Sequence, residues 1–112
     1  MNVLNNIPIV LGTELKLRIH VDPIDEYSLQ DYNFKVEIYT NASKVLSFES
    51  TDNNIILPDE DRDTCIVLIN SKDVGAGRVK VRITADIPDD DFKDGVRTEI
   101  AVEDTNIMIV RK

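Results

Sequence analysis

Apolar and polar residues alternate one for one along four stretches of this chain. The clearest are Glu14-Leu15-Lys16-Leu17-Arg18-Ile19-His20-Val21 and Gly77-Arg78-Val79-Lys80-Val81-Arg82-Ile83-Thr84-Ala85-Asp86-Ile87. Successive side chains of an extended strand point to opposite faces, so a period of two sends one face to a core and the other to water. The pattern predicts antiparallel sheet, packed on one side and wet on the other.

The remaining segments extend that picture. Val3 to Leu11 is apolar but broken by Pro8, which predicts an edge or bulged strand. Asp22 to Asp31 has no period and reads as a loop, with Tyr27 and Leu29 turned down onto the core. Tyr32 to Thr40 is a strand with Phe34, Val36 and Ile38 inward and Lys35, Glu37 and Tyr39 outward. Lys44 to Ser50 returns as a hairpin arm, with Leu46 and Phe48 inward. Ile55-Ile56-Leu57 is a short strand closed by Pro58. Thr64 to Ile69 is almost wholly apolar, which predicts a central strand covered on both faces, or a strand beside an edge loop. Asn70 to Asp73 is one turn of helix or a β-turn. Gly77 to Val110 forms a long hairpin whose second arm is interrupted near Asp104-Thr105-Asn106. About seven strands at hairpin spacing, with no convincing helix, predict an all-β, immunoglobulin-like antiparallel sandwich. The length of 112 residues fits one domain spanning 1–112.

Apolar residues make up 42% of the chain, enough for one packed core, and with no tryptophan that core rests on Ile, Val and Leu. The formal net charge is −8, from 21 acidic and 13 basic residues. Such a surface repels nucleic acid phosphates and anionic lipid, so neither is expected as a partner. Cys65 is the single cysteine and lies in the apolar run Cys65-Ile66-Val67-Leu68-Ile69, which predicts a buried thiol and no internal disulfide. The first residues carry no basic stretch followed by a long apolar one, and no apolar run approaches membrane-spanning length. The expectation is a chain made and folded in a reducing cytoplasm.

Chemistry-bearing clusters are few. Asp89-Asp90-Asp91-Phe92-Lys93-Asp94-Gly95 offers oxygen ligands at short spacing with a glycine for a sharp turn, as calcium requires. The EF-hand spacing fails: from Asp90 the third position is Phe92 and the twelfth is Ala101. Asp89, Asp90, Asp91 and Asp94 are therefore a candidate cation loop whose ordinary reading is a solvated hairpin tip. Asp59-Glu60-Asp61-Arg62-Asp63 is treated alike, and a meeting of the two loops at one end would favour a cation. His20 is the only histidine and falls on the polar face of its strand, too isolated to build a zinc site. No Gly-x-Ser-x-Gly and no cysteine beside a base supports nucleophilic catalysis. Gly75-Ala76-Gly77 lacks the helix and Lys-Ser/Thr pair of a phosphate loop, and its glycines serve a tight turn. These absences predict no enzyme, no catalytic residue and no cofactor. Tyr27, Tyr32 and Tyr39 remain as recognition candidates, with Tyr39 outward on a flat sheet.

The order of features resembles one family. Gly12-Thr13-Glu14-Leu15-Lys16-Leu17-Arg18-Ile19, then Phe34-Lys35-Val36-Glu37-Ile38, then Gly77-Arg78-Val79-Lys80-Val81-Arg82-Ile83 leading to an acidic loop and a final strand, are similar to the immunoglobulin-like N-terminal module of tailed-phage and prophage baseplate upper proteins. The resemblance implies a structural part that packs against copies of itself or other tail proteins, cytoplasmic as synthesised and then virion-associated, with no catalytic residues. In that family the module precedes a longer body, whereas this sequence ends at Arg111-Lys112, which implies a small accessory part or an unrelated sandwich. The alternative expectation is a ligand-binding sandwich of a bacterial surface or uptake system, taking carbohydrate at Tyr39 or calcium at Asp89 to Asp94.

Overall fold

The computed structural model describes residues 7–42 and 44–111. Among these, eight strands appear: β1 (Ile7–Val10), β2 (Glu14–His20), β3 (Asn33–Tyr39), β4 (Val45–Glu49), β5 (Ile55–Ile56), β6 (Thr64–Asn70), β7 (Gly77–Pro88) and β8 (Val96–Val110). They form two sheets, one of five strands in the order β1-β8-β7-β3-β4 and one of three in the order β2-β6-β5. The class is all-β and the two sheets are arranged as a sandwich. Every paired strand is antiparallel to its neighbours except β1, which runs parallel to β8. Residues 3 to 6 of the expected first edge strand lie outside the described residues, and Ile7–Val10 of it forms β1.

Alternation sets the inner faces. In β3, Phe34, Val36 and Ile38 are buried while Lys35, Glu37 and Tyr39 are only half covered. In β7, Val79, Val81, Ile83, Ala85 and Ile87 all point inward. They meet Leu17 of β2 and Cys65, Val67 and Ile69 of β6 from the opposite sheet. Each such aliphatic side chain contributes about 1.5–3 kcal/mol by leaving water. Strand β6 is central in its sheet and buried on both faces, since Ile66 on its outer face sits between Arg18 and Ile56 in the register.

Two details depart from the expected outline. The segment after β2 is not wholly irregular: Leu29–Asp31 forms one turn of 3-10 helix. The Asp31 carboxylate accepts the Ser28 N–H at 2.9 Å, which starts the turn and drops Leu29 into the core with no exposed surface. Strand β8 is not broken near Thr105 but bulged. Lys80 pairs with Asp104 and Arg78 with Met108, so three residues of β8 face Val79 alone. The Thr105 hydroxyl donates to the Val79 carbonyl at 2.7 Å and accepts the Ile107 N–H at 3.1 Å, replacing the lost ladder bonds. Asn70 to Asp73 closes as a 3-10 turn, Ser71–Asp73.

Candidate functional site

Three loops gather at one end of the sandwich: 21–32, 57–63 and 89–95. Twelve of the 21 acidic residues fall in them, against Arg62 and Lys93. The first loop lies between the other two and is bonded to both. Toward 57–63, the Val21 N–H donates to the Asp63 carbonyl at 2.8 Å. The Gln30 amide donates to the Pro58 carbonyl at 2.8 Å, and Arg62 pairs with Asp31. Toward 89–95, a single side chain makes the link. Arg97, at the start of β8, donates from Nη1 to Asp89 at 2.6 Å, from Nη2 to Asp25 at 3.0 Å and from Nε to Glu99 at 3.0 Å. The hydrogen bond to Asp25 and the surrounding carboxylates hold that guanidinium still more firmly charged than usual.

This arrangement places the proposed cation loop. Asp89, the most covered of its carboxylates, is neutralised by Arg97 through Oδ2, and its Oδ1 accepts the Asp91 N–H at 3.0 Å. Asp90, Asp91 and Asp94 stand exposed around it. Among the described residues, no three of His, Cys, Asp and Glu are grouped so as to hold a metal ion. In loop 57–63, Asp61 accepts the buried Thr64 hydroxyl at 2.7 Å. That bond, helped by the Asp63 N–H, holds the Asp61 carboxyl below its ordinary value.

The other singled-out residues are dispersed. His20 stands half exposed, its Nε2 at 3.5 Å from Asp22 and its Nδ1 at 3.4 Å from the Thr64 hydroxyl. Cys65 is fully buried, and burial pushes its thiol up to about 12, which removes the thiolate at neutral pH. Tyr32 is buried, Tyr27 packs partly against the core, and Tyr39 lies on the outer face of the larger sheet with Arg82 over its ring at 5.7 Å. Arg82 also pairs with Glu37 at 2.7 Å, and that bond holds the Glu37 carboxyl low. A groove of about 630 Å³ opens between β4 and the smaller sheet, floored by Leu15, Leu46, Phe48 and Ile69. Among the described residues its polar rim is Glu14, Lys16, Asn54, Asn70 and Asp73. The Thr64 hydroxyl that reaches His20 is itself buried and donates to the Asp61 carboxylate.

The sequence pattern left one surface unremarked. Ile100 is 63% exposed and Val102 54%, the two most exposed large apolar side chains described. They oppose Thr84 and Arg82 on the outer face of the larger sheet. Beyond them, among the described residues, β8 is the sheet edge from Val96 to Asn106, because β1 pairs there with Ile107 to Val110. A trace of this was present in the chain. Apolar Val96, Ile100 and Val102 occupy even positions, whereas Ile107 to Val110 is an unbroken apolar run, so the pattern changes within one strand. The links from Arg97 to Asp25 and from Arg62 to Asp31 gave no such trace, since those partners lie 72 and 31 residues off in sequence. No membrane-crossing helix is present: none among the described residues is long and apolar enough. Comparison with protein-family models, with curated proteins and with solved structures finds no match to this chain.

Proposed function

We propose that this chain is a non-enzymatic, immunoglobulin-like interaction module that binds protein partners through a sheet edge, and that it serves as a structural part of a phage or prophage tail or baseplate. The carrying observation is the pair Ile100 and Val102, the two most exposed large apolar side chains described, on an edge strand. Unpaired backbone groups on such an edge accept a partner strand, and exposed aliphatic side chains beside them supply the apolar burial that a stable contact needs. The strand order supports the immunoglobulin-like reading. A first strand parallel to the last, in a sheet that continues through β7 and β3 to β4, with β2-β6-β5 opposite, is an arrangement that such a module takes. The motif resemblance to the tail module supplies the setting. Assembly in the cytoplasm suits a lone, inert thiol.

Co-expression with the products of the genes on either side tests the proposal. Co-purification with a tail or baseplate component, at a mass that light scattering fixes, supports it. A chain that stays single both alone and with each of those products overturns it.

A further inference from the structure

The interaction-module reading leaves the partner open, and the residues of β8 narrow it. The stretch of β8 that pairs regularly with β7 runs from Val96 to Asp104, and the bulge at 105–107 ends it. Its middle residue is Ile100, the most exposed large apolar side chain. Among the described residues no strand lies along its outer edge.

We propose that β8 pairs antiparallel with β8 of a second copy of this chain, about a two-fold axis through Ile100. A two-fold perpendicular to the sheet keeps each face on its own side, so the axis must pass through a residue and not between two. Centred on Ile100, the pairing sets Ile100 against Ile100, Thr98 against Val102 and Arg97 against Glu103, the last two twice each. The outer face then closes Ile100 and Val102 of both chains into one apolar strip. On the inner face Arg97 meets the partner carboxylate. Its guanidinium has five N–H donors and spends three on Asp25, Asp89 and Glu99, which leaves two for Glu103.

Neighbouring registers fail on charge or length. A centre at Ala101 sets Glu99 opposite Glu103 twice, and a centre at Glu99 sets Glu99 against itself. Like charges directly opposed across strands destabilise a pair. A centre at Val102 runs into the bulge, and a centre at Thr98 pairs only Val96 to Ile100. The Ile100 register uses the regular stretch fully and stops short of the edge that β1 occupies. Each chain carries −8, so salt that screens the long-range repulsion strengthens the association.

Light scattering and disulfide trapping test this directly. The wild-type chain is expected at twice its 12.7 kDa mass at high concentration and moderate salt. Ile100→Lys puts two ammonium groups on the axis and weakens association by about tenfold or more. Its fold is checked by circular dichroism, and the exposed position predicts no change. Ile100→Cys is expected to form a covalent dimer under mild oxidant, because residues directly opposed across strands hold their Cβ atoms about 4.5–5.5 Å apart. Buried Cys65 does not compete. Thr98→Cys and Val102→Cys are expected to trap when mixed and not singly. A monomeric wild type, or trapping of Val102→Cys with itself, overturns the proposal. So does a monomer whose β8 amides resist hydrogen exchange, since another stretch of the same chain would then cover the edge. If self-pairing fails while a complex with a neighbouring gene product persists, the interaction-module reading survives and this inference alone falls.

Discussion

Gly75 offers a sharp test of how the two halves of the sandwich are joined. It sits in the corner between β6 and β7 with φ +95°, and a Cβ built there lies 2.8 Å from the Ala42 Cβ. Carbon atoms in ordinary contact stand about 3.5–4.0 Å apart, so Gly75→Ala demands movement. Thr40 opposes that movement. Its hydroxyl accepts the Ala42 N–H at 3.1 Å and donates to the Val74 carbonyl at 3.3 Å, fastening the turn after β3 to this corner. A non-glycine residue at such a φ costs about 1–3 kcal/mol. Overpacking against a held neighbour adds about 1–3 kcal/mol. We expect Gly75→Ala to lose about 2–6 kcal/mol in a urea titration, read from the midpoint at unchanged slope. Ala42→Gly removes the obstacle and alone costs about 0.4–1 kcal/mol through the freer unfolded chain. The double variant should recover the steric part, a coupling of about 1–3 kcal/mol. A Gly75→Ala protein within about 0.5 kcal/mol of wild type would refute the reasoning. A coupling of zero would leave backbone strain as the sole cause.

Three further outcomes follow from single groups. Asp61 has a folded value lowered by the Thr64 hydroxyl, so the unfolded chain binds its proton first as pH falls. Its contribution is therefore full above the ordinary value of 3.8 and lost as pH drops through the lowered one. The melting difference between wild type and Asp61→Asn should be widest above that value and close below it; a constant difference would exclude the ionised carboxylate as cause. Cys65, with its thiol near 12, has roughly one thiolate in ten thousand at pH 8. It should resist a thiol-reactive dye until urea unfolds the chain, and rapid labelling of the native protein would contradict its burial. Tyr32 is buried and its hydroxyl has no hydrogen-bond partner among the described residues. Tyr32→Phe should leave urea stability unchanged or raise it by about 1 kcal/mol, because an unsatisfied buried hydroxyl is itself a cost. A loss of more than about 1 kcal/mol would mean that the hydroxyl is satisfied by a bound water.

Much of the fold was legible in the chain because strand alternation is a local property. Phe34, Val36 and Ile38 could only face one way once β3 was extended, and Val79 to Ile87 likewise, so the inward set follows from a period of two. The apolar run from Cys65 to Ile69 announced a strand covered on both faces by the same logic. The acidic loops were equally visible, yet their role was not. Whether Asp89 holds a cation or a guanidinium depends on Arg97 and, through it, on Asp25, 72 residues away. No spacing rule reports such a contact.

Strand β8 divides the two kinds of knowledge most clearly. Its two patterns are written in the residues: Val96, Ile100 and Val102 at even positions, then the unbroken apolar run Ile107 to Val110. Only the tertiary structure decides which half meets the core. Ile107 and Ile109 stand on the inner face and pack against the core, while Ile100 and Val102 stand on the outer face of the larger sheet, away from sheet β2-β6-β5, in water. Alternation is set by the geometry of a single extended chain. Burial is set by what the other sheet happens to cover, and that is a property of the whole assembly of strands.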